Sequence, residues 1–174
     1  MAHARKGVPM NSTQAPGSLR LQSLVAAGLA LSVAATGGAL TILDDWYFSL
    51  LQPSFKPPDW AFGPAWTILF ILMAVSGVTG WRAAADQAQR ARLLGFWAFN
   101  IVCNLAWSLL FFYLQRPDWA LVEVVFLVAS VALLIRHLRP YSTRAAWLLV
   151  PYLAWVCFAA AVNLGVVMLN GPFG

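Results

Sequence analysis

Five apolar runs, each about twenty residues long, constrain this chain more than any motif, because a run of that length matches the hydrocarbon thickness of a bilayer. Hydrophobic residues make up 61% of the chain and charged residues only 10%, which is far from the balance of a water-soluble domain. The 174 residues leave room for these spans and for short connections between them. The sequence therefore predicts an all-α integral membrane protein, a bundle of five transmembrane helices.

The predicted spans form one domain, residues 21–174, behind a mobile amino-terminal tail, residues 1–20. The spans are placed at about residues 21–43, 63–81, 93–114, 119–138 and 145–169. A signal peptide is an alternative for the first span, since basic residues precede it and Ser32-Val33-Ala34 resembles a cleavage site. The apolar stretch that continues beyond Ala34 favours a retained helix.

The connection between the first two spans, residues 44–62, combines aromatic side chains with prolines. Pro53, Pro57 and Pro58 each remove an amide donor and disfavour helix at the preceding residue, so the segment should be a folded loop. Flat aromatic surface held beside a membrane suits a lid over a large apolar ligand.

Two spans carry chemically useful side chains along one helix face. In the third span Asn100, Asn104 and Ser108 recur every four residues and so lie in one line. Such groups need partners in hydrocarbon, and interhelical hydrogen bonding and contact with a ligand are equally consistent with the pattern. In the fifth span one face carries Tyr152, Trp155, Ala159 and Asn163. The two faces together could line one pocket.

The sequence lacks the usual patterns of catalytic and metal sites. Cys103 and Cys157 stand alone in apolar runs and are interpreted as small core residues. Glu123 lies about one turn inside the fourth span, where a functional role, a buried partner or contact with the interface are all open. His137 is interpreted as a solvated interfacial residue rather than a metal ligand. Binding, sensing or transport is therefore favoured over ordinary hydrolase or transferase chemistry.

Basic residues are distributed unevenly between the two sides of the predicted bundle. One side has only Lys56 and Arg116. The other side has Arg5, Lys6, Arg20, Arg82, Arg90, Arg92, Arg136, Arg139 and Arg144. The positive-inside rule then predicts a cytoplasmic amino terminus, with the aromatic loop and the carboxyl terminus on the opposite side. This topology accounts for the net charge of +5 without a nucleic-acid partner.

Five separated motifs resemble the translocator protein family, also called tryptophan-rich sensory proteins or peripheral-type benzodiazepine receptors (TspO/MBR). In order they are Trp46-Tyr47, PSFKPPDW from Pro53 to Trp60, Trp66, NIVCNLAWSLLFF from Asn100 to Phe112, and PYLAWVCFAAAVN from Pro151 to Asn163. The resemblance implies a five-helix bundle, usually a homodimer. Its pocket under the first loop would bind porphyrins, such as protoporphyrin IX or haem, and synthetic isoquinoline carboxamides or benzodiazepines.

The resemblance also assigns residues to that pocket from the loop and from the second, third and fifth spans. These are Trp46, Tyr47, Trp60, Trp66, Asn100, Asn104, Trp107, Trp155, Ala159 and Asn163, to which the helical spacing adds Tyr152. Lys56 is the only cation of the loop. It is expected to hold the porphyrin carboxylates there, where their desolvation is least costly.

The expected function is a membrane receptor or sensor for porphyrin-type tetrapyrroles that regulates tetrapyrrole or stress homeostasis, with no cofactor required. A transporter of porphyrins or other lipophilic ligands is one alternative. The other is an enzyme that degrades porphyrin in light, because Trp66 and Trp155 match tryptophans implicated in that reaction in bacterial relatives; no residue is a firm catalytic assignment. The segment after Asn163 lacks the sterol pattern of animal relatives, so a bacterial member without sterol handling is expected.

Overall fold

Five helical stretches in the described part of the chain are long and apolar enough to cross a membrane, which confirms the predicted five-helix fold. The computed structural model describes residues 16–173, with side chains from Leu19 onward; the predicted tail lies largely outside the described residues. The helices are α1 (Pro16–Leu40), α2 (Asp45–Ser49), α3 (Phe62–Ala83), α4 (Gln87–Ser108), α5 (Pro117–Leu138), α6 (Thr143–Leu148) and α7 (Val150–Asn170). The spans are α1, α3, α4, α5 and the pair α6 and α7.

Local capping explains where the helices begin. Helix α4 starts at Gln87, although hydropathy places the third span only from residue 93. The Asp86 side chain accepts a hydrogen bond from the Gln89 amide (2.7 Å), and the Gln89 side chain accepts one from the Ala85 amide (2.9 Å). This reciprocal capping satisfies two amides that the helix itself leaves free. Pro117 opens α5, where its missing amide does no harm.

The connection between α1 and α3 is folded. It contains α2, whose Tyr47 amide donates to the Asp44 side chain (3.1 Å). A 3₁₀ turn, Asp59–Ala61, then leads directly into α3. At the other end of α4 a π-helical turn, Leu109–Tyr113, extends that span. We call residues 44–61 the lid.

The core lies between α3, α4, α5 and α7, and polar contacts cross it. The Asn100 amide on α4 donates to Ser130 Oγ on α5 (2.8 Å), and Ser76 Oγ on α3 donates to the Ala145 carbonyl of α6 (2.8 Å). Gly80 is fully covered, and a Cβ there would overlap Leu138. Any larger residue here would have to displace the end of the Leu138 side chain, so glycine allows α3 and α5 to approach closely.

The two ends of the bundle differ in charge. Gly80, Leu93 and Leu138 meet at one end, so the end of α3, the start of α4 and the end of α5 lie together. The start of α1 lies there too, because Leu21 lines the same groove as Trp81 and Leu93. We call this the arginine-rich end, since the helix termini and connections there carry seven arginines: Arg20, Arg82, Arg90, Arg92, Arg136, Arg139 and Arg144. The lid covers the opposite end.

Candidate ligand-binding cavity

A cavity of about 470 Å³ lies under the lid, between α1, α3, α4 and α7. Eight of the twelve side chains proposed from the sequence line it. They are Tyr47, Lys56, Trp66, Asn104, Trp107, Trp155, Ala159 and Asn163. The lid and three separate spans thus bring these residues together, while contact with a ligand stays a prediction for each of them.

The other four residues do not line the cavity. Trp46 packs edge-on against Phe111, with ring centroids 6.4 Å apart, and so lies behind the wall. Trp60 is 76% exposed on the outside of the lid. Asn100 and Tyr152 are fully buried below the cavity, where they bond to other side chains of the core.

The aromatic side chains of the wall hold one another in place. Trp155 meets Phe62 edge-on at 5.6 Å between ring centroids, and Trp107 stacks on Phe111 at 5.3 Å. Trp66 contacts Phe70 at 5.5 Å. Such pairs favour defined ring orientations, so the wall offers flat apolar surface that is already ordered.

Amide groups fix two sides of the cavity. Asn163 Oδ1 accepts a hydrogen bond from Trp107 Nε1 (3.2 Å), while its Nδ2 donates to the Pro117 carbonyl (2.9 Å). Asn104 Nδ2 donates to the Tyr152 hydroxyl (3.1 Å). Asn163 therefore orients an indole of the wall. The second polar atom of the Asn104 amide has no protein partner among the described residues, which leaves it available to a ligand.

The polar edge of the cavity is an ion pair inside the lid. Lys56 Nζ pairs with the Asp59 carboxylate and lies 5.5 Å from the centre of the Tyr47 ring. The Tyr47 hydroxyl donates to the same carboxylate (2.6 Å). Burial, and then the bond to Asp59, raise the pKa of Tyr47 above its ordinary value, so the neutral phenol is the donor. The charge of Lys56 is thus compensated within the protein.

Three contacts fasten the lid to the bundle. Asn170 Oδ1 accepts from the Leu51 amide (2.8 Å), and Asn170 Nδ2 donates to the Leu51 carbonyl (2.9 Å). A Cβ on Gly165 would lie 2.9 Å from Pro53 Cβ and Cγ, so the lid approaches α7 closely only because residue 165 is glycine. Gln115 Nε2 donates to Asp44 Oδ2 (3.2 Å).

Several lining residues were not predicted. Asp59 is the most informative, and its three-residue separation from Lys56 is a signal for an ion pair that could have identified it. Phe62 lies at the junction of lid and α3. Gly37, Gly38 and Thr41 border the cavity at the end of α1, where small residues form no pattern that points to a ligand.

The remaining polar candidates lie elsewhere. Both carboxyl oxygens of Glu123 are buried, with the Cys103 thiol as their polar neighbour, so this carboxyl group does not reach the interface. The His137 ring packs against Phe96 at 4.9 Å. Cys103 is buried as expected, but Cys157 is exposed on the outer surface, so its interpretation as a core residue is wrong.

Comparison with known proteins gives consistent matches over most of the chain. Residues 24–169 match the profile of the TspO/MBR family. The chain is 35% identical to the tryptophan-rich protein TspO of Archaeoglobus fulgidus, over 87% of this chain and 97% of that protein. It is 40% identical to the protein of the same name from Chlorobaculum tepidum, over 82% and 92% of the two chains. The translocator protein of Sus scrofa is 36% identical over 68% and 70%. These matches confirm the resemblance seen in the sequence motifs.

We expect Asn170→Ala to loosen the lid, because the substitution removes both hydrogen bonds to Leu51. Hydrogen exchange of the amides from Leu51 to Lys56 should become faster while exchange in α4 and α5 stays unchanged. Leu169→Ala, a truncation of the exposed neighbouring side chain, serves as the control and should leave lid exchange as in the wild type. Equal exchange in both variants would show that the Asn170 contact does not hold the lid.

Proposed function

Because this chain belongs to the TspO/MBR family, we propose that the cavity under its lid binds a porphyrin-type tetrapyrrole, protoporphyrin IX or haem. The multi-pass membrane protein would act as a receptor or sensor in tetrapyrrole or stress homeostasis. The observation that carries the proposal is the convergence of three indoles, those of Trp66, Trp107 and Trp155, on one cavity.

Size and surface both suit a flat aromatic ligand. A volume of about 470 Å³ falls in the range of about 300–1,000 Å³ that is usual for small-molecule sites. A tetrapyrrole presents two apolar faces, and each well-placed aromatic contact contributes about 0.5–1.5 kcal/mol beyond the area it buries. The pre-ordered indoles can therefore favour a planar ring over a flexible apolar chain.

The lid edge is where the carboxylates of such a ligand would lie. Asp59 already neutralises Lys56, so a ligand carboxylate has to compete with Asp59 for the ammonium group. Tyr47 would continue to stabilise Asp59 through its hydroxyl. This arrangement predicts that Asp59 weakens, and Lys56 strengthens, the binding of an acidic ligand.

The distribution of basic residues between the two ends of the bundle suggests its orientation in the membrane. We place the arginine-rich end in the cytoplasm, as the positive-inside rule requires, and the lid on the opposite side. A ligand would then enter the cavity from the non-cytoplasmic side or from the adjoining leaflet.

A second candidate function is the light-dependent breakdown of porphyrin. It is favoured by one observation, that Trp66 and Trp155 both border the cavity. An excited porphyrin held between them would be close enough to accept an electron from either indole.

Trp155→Ala should weaken the binding of protoporphyrin IX about tenfold or more, because it removes a wall of the cavity. Dark titration of protein in nanodiscs, followed by calorimetry, measures the affinity without photochemistry. Trp60→Ala is the matched control, since Trp60 is an exposed tryptophan of the same lid, and it should bind like the wild type. If the two variants lose affinity equally, or neither does, the ligand is not in this cavity.

Substitutions in the ion pair should have opposite effects on the affinity for an acidic ligand. Lys56→Gln is expected to weaken binding of protoporphyrin IX, and Asp59→Asn to strengthen it, each severalfold. Neither should alter the affinity for the dimethyl ester, which lacks the carboxylates. An effect of Lys56→Gln that is equal for acid and ester would mean that Lys56 only shapes the lid.

Trp66→Phe and Trp155→Phe test the photochemical candidate. If these indoles donate electrons, each variant should bleach bound protoporphyrin IX more slowly than the wild type under equal illumination and equal occupancy. Bleaching at the wild-type rate in both variants would remove the two residues from the reaction. Turnover in darkness that both substitutions abolish would support enzymatic catalysis.

A further inference from the structure

A second groove of about 370 Å³ lies between α1, α3 and α4. Among the described residues, it shares only Phe70 with the lining of the lid cavity. Its walls are almost entirely apolar and include Val25, Leu29, Met73 and Gly77. The groove is therefore distinct from the lid cavity. In a membrane, an apolar group is the favourable occupant of such a groove.

The length of the groove corresponds to one leaflet of a bilayer. It begins at Leu21 and Trp81, at the arginine-rich end, and follows α1 inward to Val33. At 1.5 Å per residue this distance along α1 is about 18 Å, whereas half of the hydrocarbon layer is about 15 Å thick. The groove thus fits a hydrocarbon chain that enters from the interface and ends near the bilayer centre.

Positive charge surrounds the mouth of this groove. The Arg90 guanidinium lies 5.3 Å from the centre of the Trp81 ring, which lines the mouth. Arg20 and Arg82 are exposed and directly adjoin the lining residues Leu21 and Trp81.

No carboxylate compensates this charge within the described residues. The two ion pairs there, Lys56–Asp59 and Arg116–Asp118, are both at the lid end. The one acidic residue at the arginine-rich end, Asp86, caps α4. Arg90 Nε is moreover buried without a hydrogen-bond partner. The mouth of the groove therefore lacks an anion.

We propose that this groove binds one acyl chain of an anionic membrane phospholipid, whose phosphate headgroup is held by Arg20, Arg82 and Arg90. The charge distribution favours a lipid over a second copy of the chain. A rotation axis along the membrane normal would place the arginine-rich end of the second copy on the same side, and so would bring more positive charge to the mouth. An anionic headgroup instead supplies the missing counter-charge, and its acyl chain fills the apolar groove.

Native mass spectrometry of the full-length protein with dioleoyl phosphatidylglycerol or dioleoyl phosphatidylcholine tests the headgroup site. The wild type should retain the anionic lipid in preference to the zwitterionic one. Arg90→Gln should reduce this preference about fivefold, the equivalent of about 1 kcal/mol for one arginine near the membrane surface. Arg139→Gln removes an exposed arginine of the same end that does not adjoin the groove, and should change nothing. Equal retention of the two lipids, or an equal effect of both substitutions, would overturn the proposal.

Gly77→Leu tests the acyl-chain site. A Cβ on Gly77 would meet Trp97 at 3.8 Å, an ordinary contact, and the rest of the leucine would occupy the groove. Gly95→Leu is the matched control, because nothing lies within 4 Å of a Cβ there. Loss of bound phosphatidylglycerol in the first variant alone supports the proposal. Should Gly77→Leu not fold, Ala74→Leu fills the same groove. If a folded groove-filling variant keeps its lipid but dissociates from a dimer to a monomer, the groove is an interface between copies and the proposal is wrong.

Discussion

The hydrogen bond from Asn104 to the Tyr152 hydroxyl joins α4 to α7 at the floor of the lid cavity, and the position of the whole site depends on it. The same hydroxyl lies 3.4 Å from the Asn100 amide, which in turn donates to Ser130 on α5. Hydrogen bonds between membrane helices contribute on average only about 0.6 kcal/mol each. Their main effect is on register, since a shift of any of the three helices would leave polar atoms unpaired in hydrocarbon.

This network also decides where the cavity begins. The three polar residues on one face of α4 differ in their surroundings. Asn100 forms hydrogen bonds only with protein groups, whereas Asn104 and Ser108 border the cavity. Just above the network, Asn163 holds the Trp107 indole against the wall. The buried residues around Asn100 are therefore fully hydrogen-bonded, and they support the residues that line the cavity, where polar atoms remain free. The aromatic wall of the cavity is thus ordered without a ligand.

The fold and the polar faces of α4 and α7 could be predicted because span length and helical spacing are local properties of the sequence. Helical spacing shows which residues share a helix face, but not what lies opposite that face. The sequence therefore could not distinguish the buried residues Asn100 and Tyr152 from the cavity-lining residues Asn104 and Trp155. Their partner Ser130 lies on another helix, and no local pattern connects them. In the lid, composition predicted an aromatic surface, yet only tertiary contacts determine that Trp60 faces outward while Tyr47 is buried.

The two ends of the bundle use charge in opposite ways, and one physical constraint explains both. At the lid end the charges lie beside a cavity lined largely by apolar side chains, where an unpaired cation would be costly, and both basic residues of that end are paired with a carboxylate. At the arginine-rich end the charges face the headgroup region, where lipid phosphates and water can compensate them. The pairing of Lys56 by Asp59 thus leaves no uncompensated cation at the edge of the apolar cavity. The unpaired arginines, in turn, produce the charge asymmetry from which the orientation in the membrane is inferred.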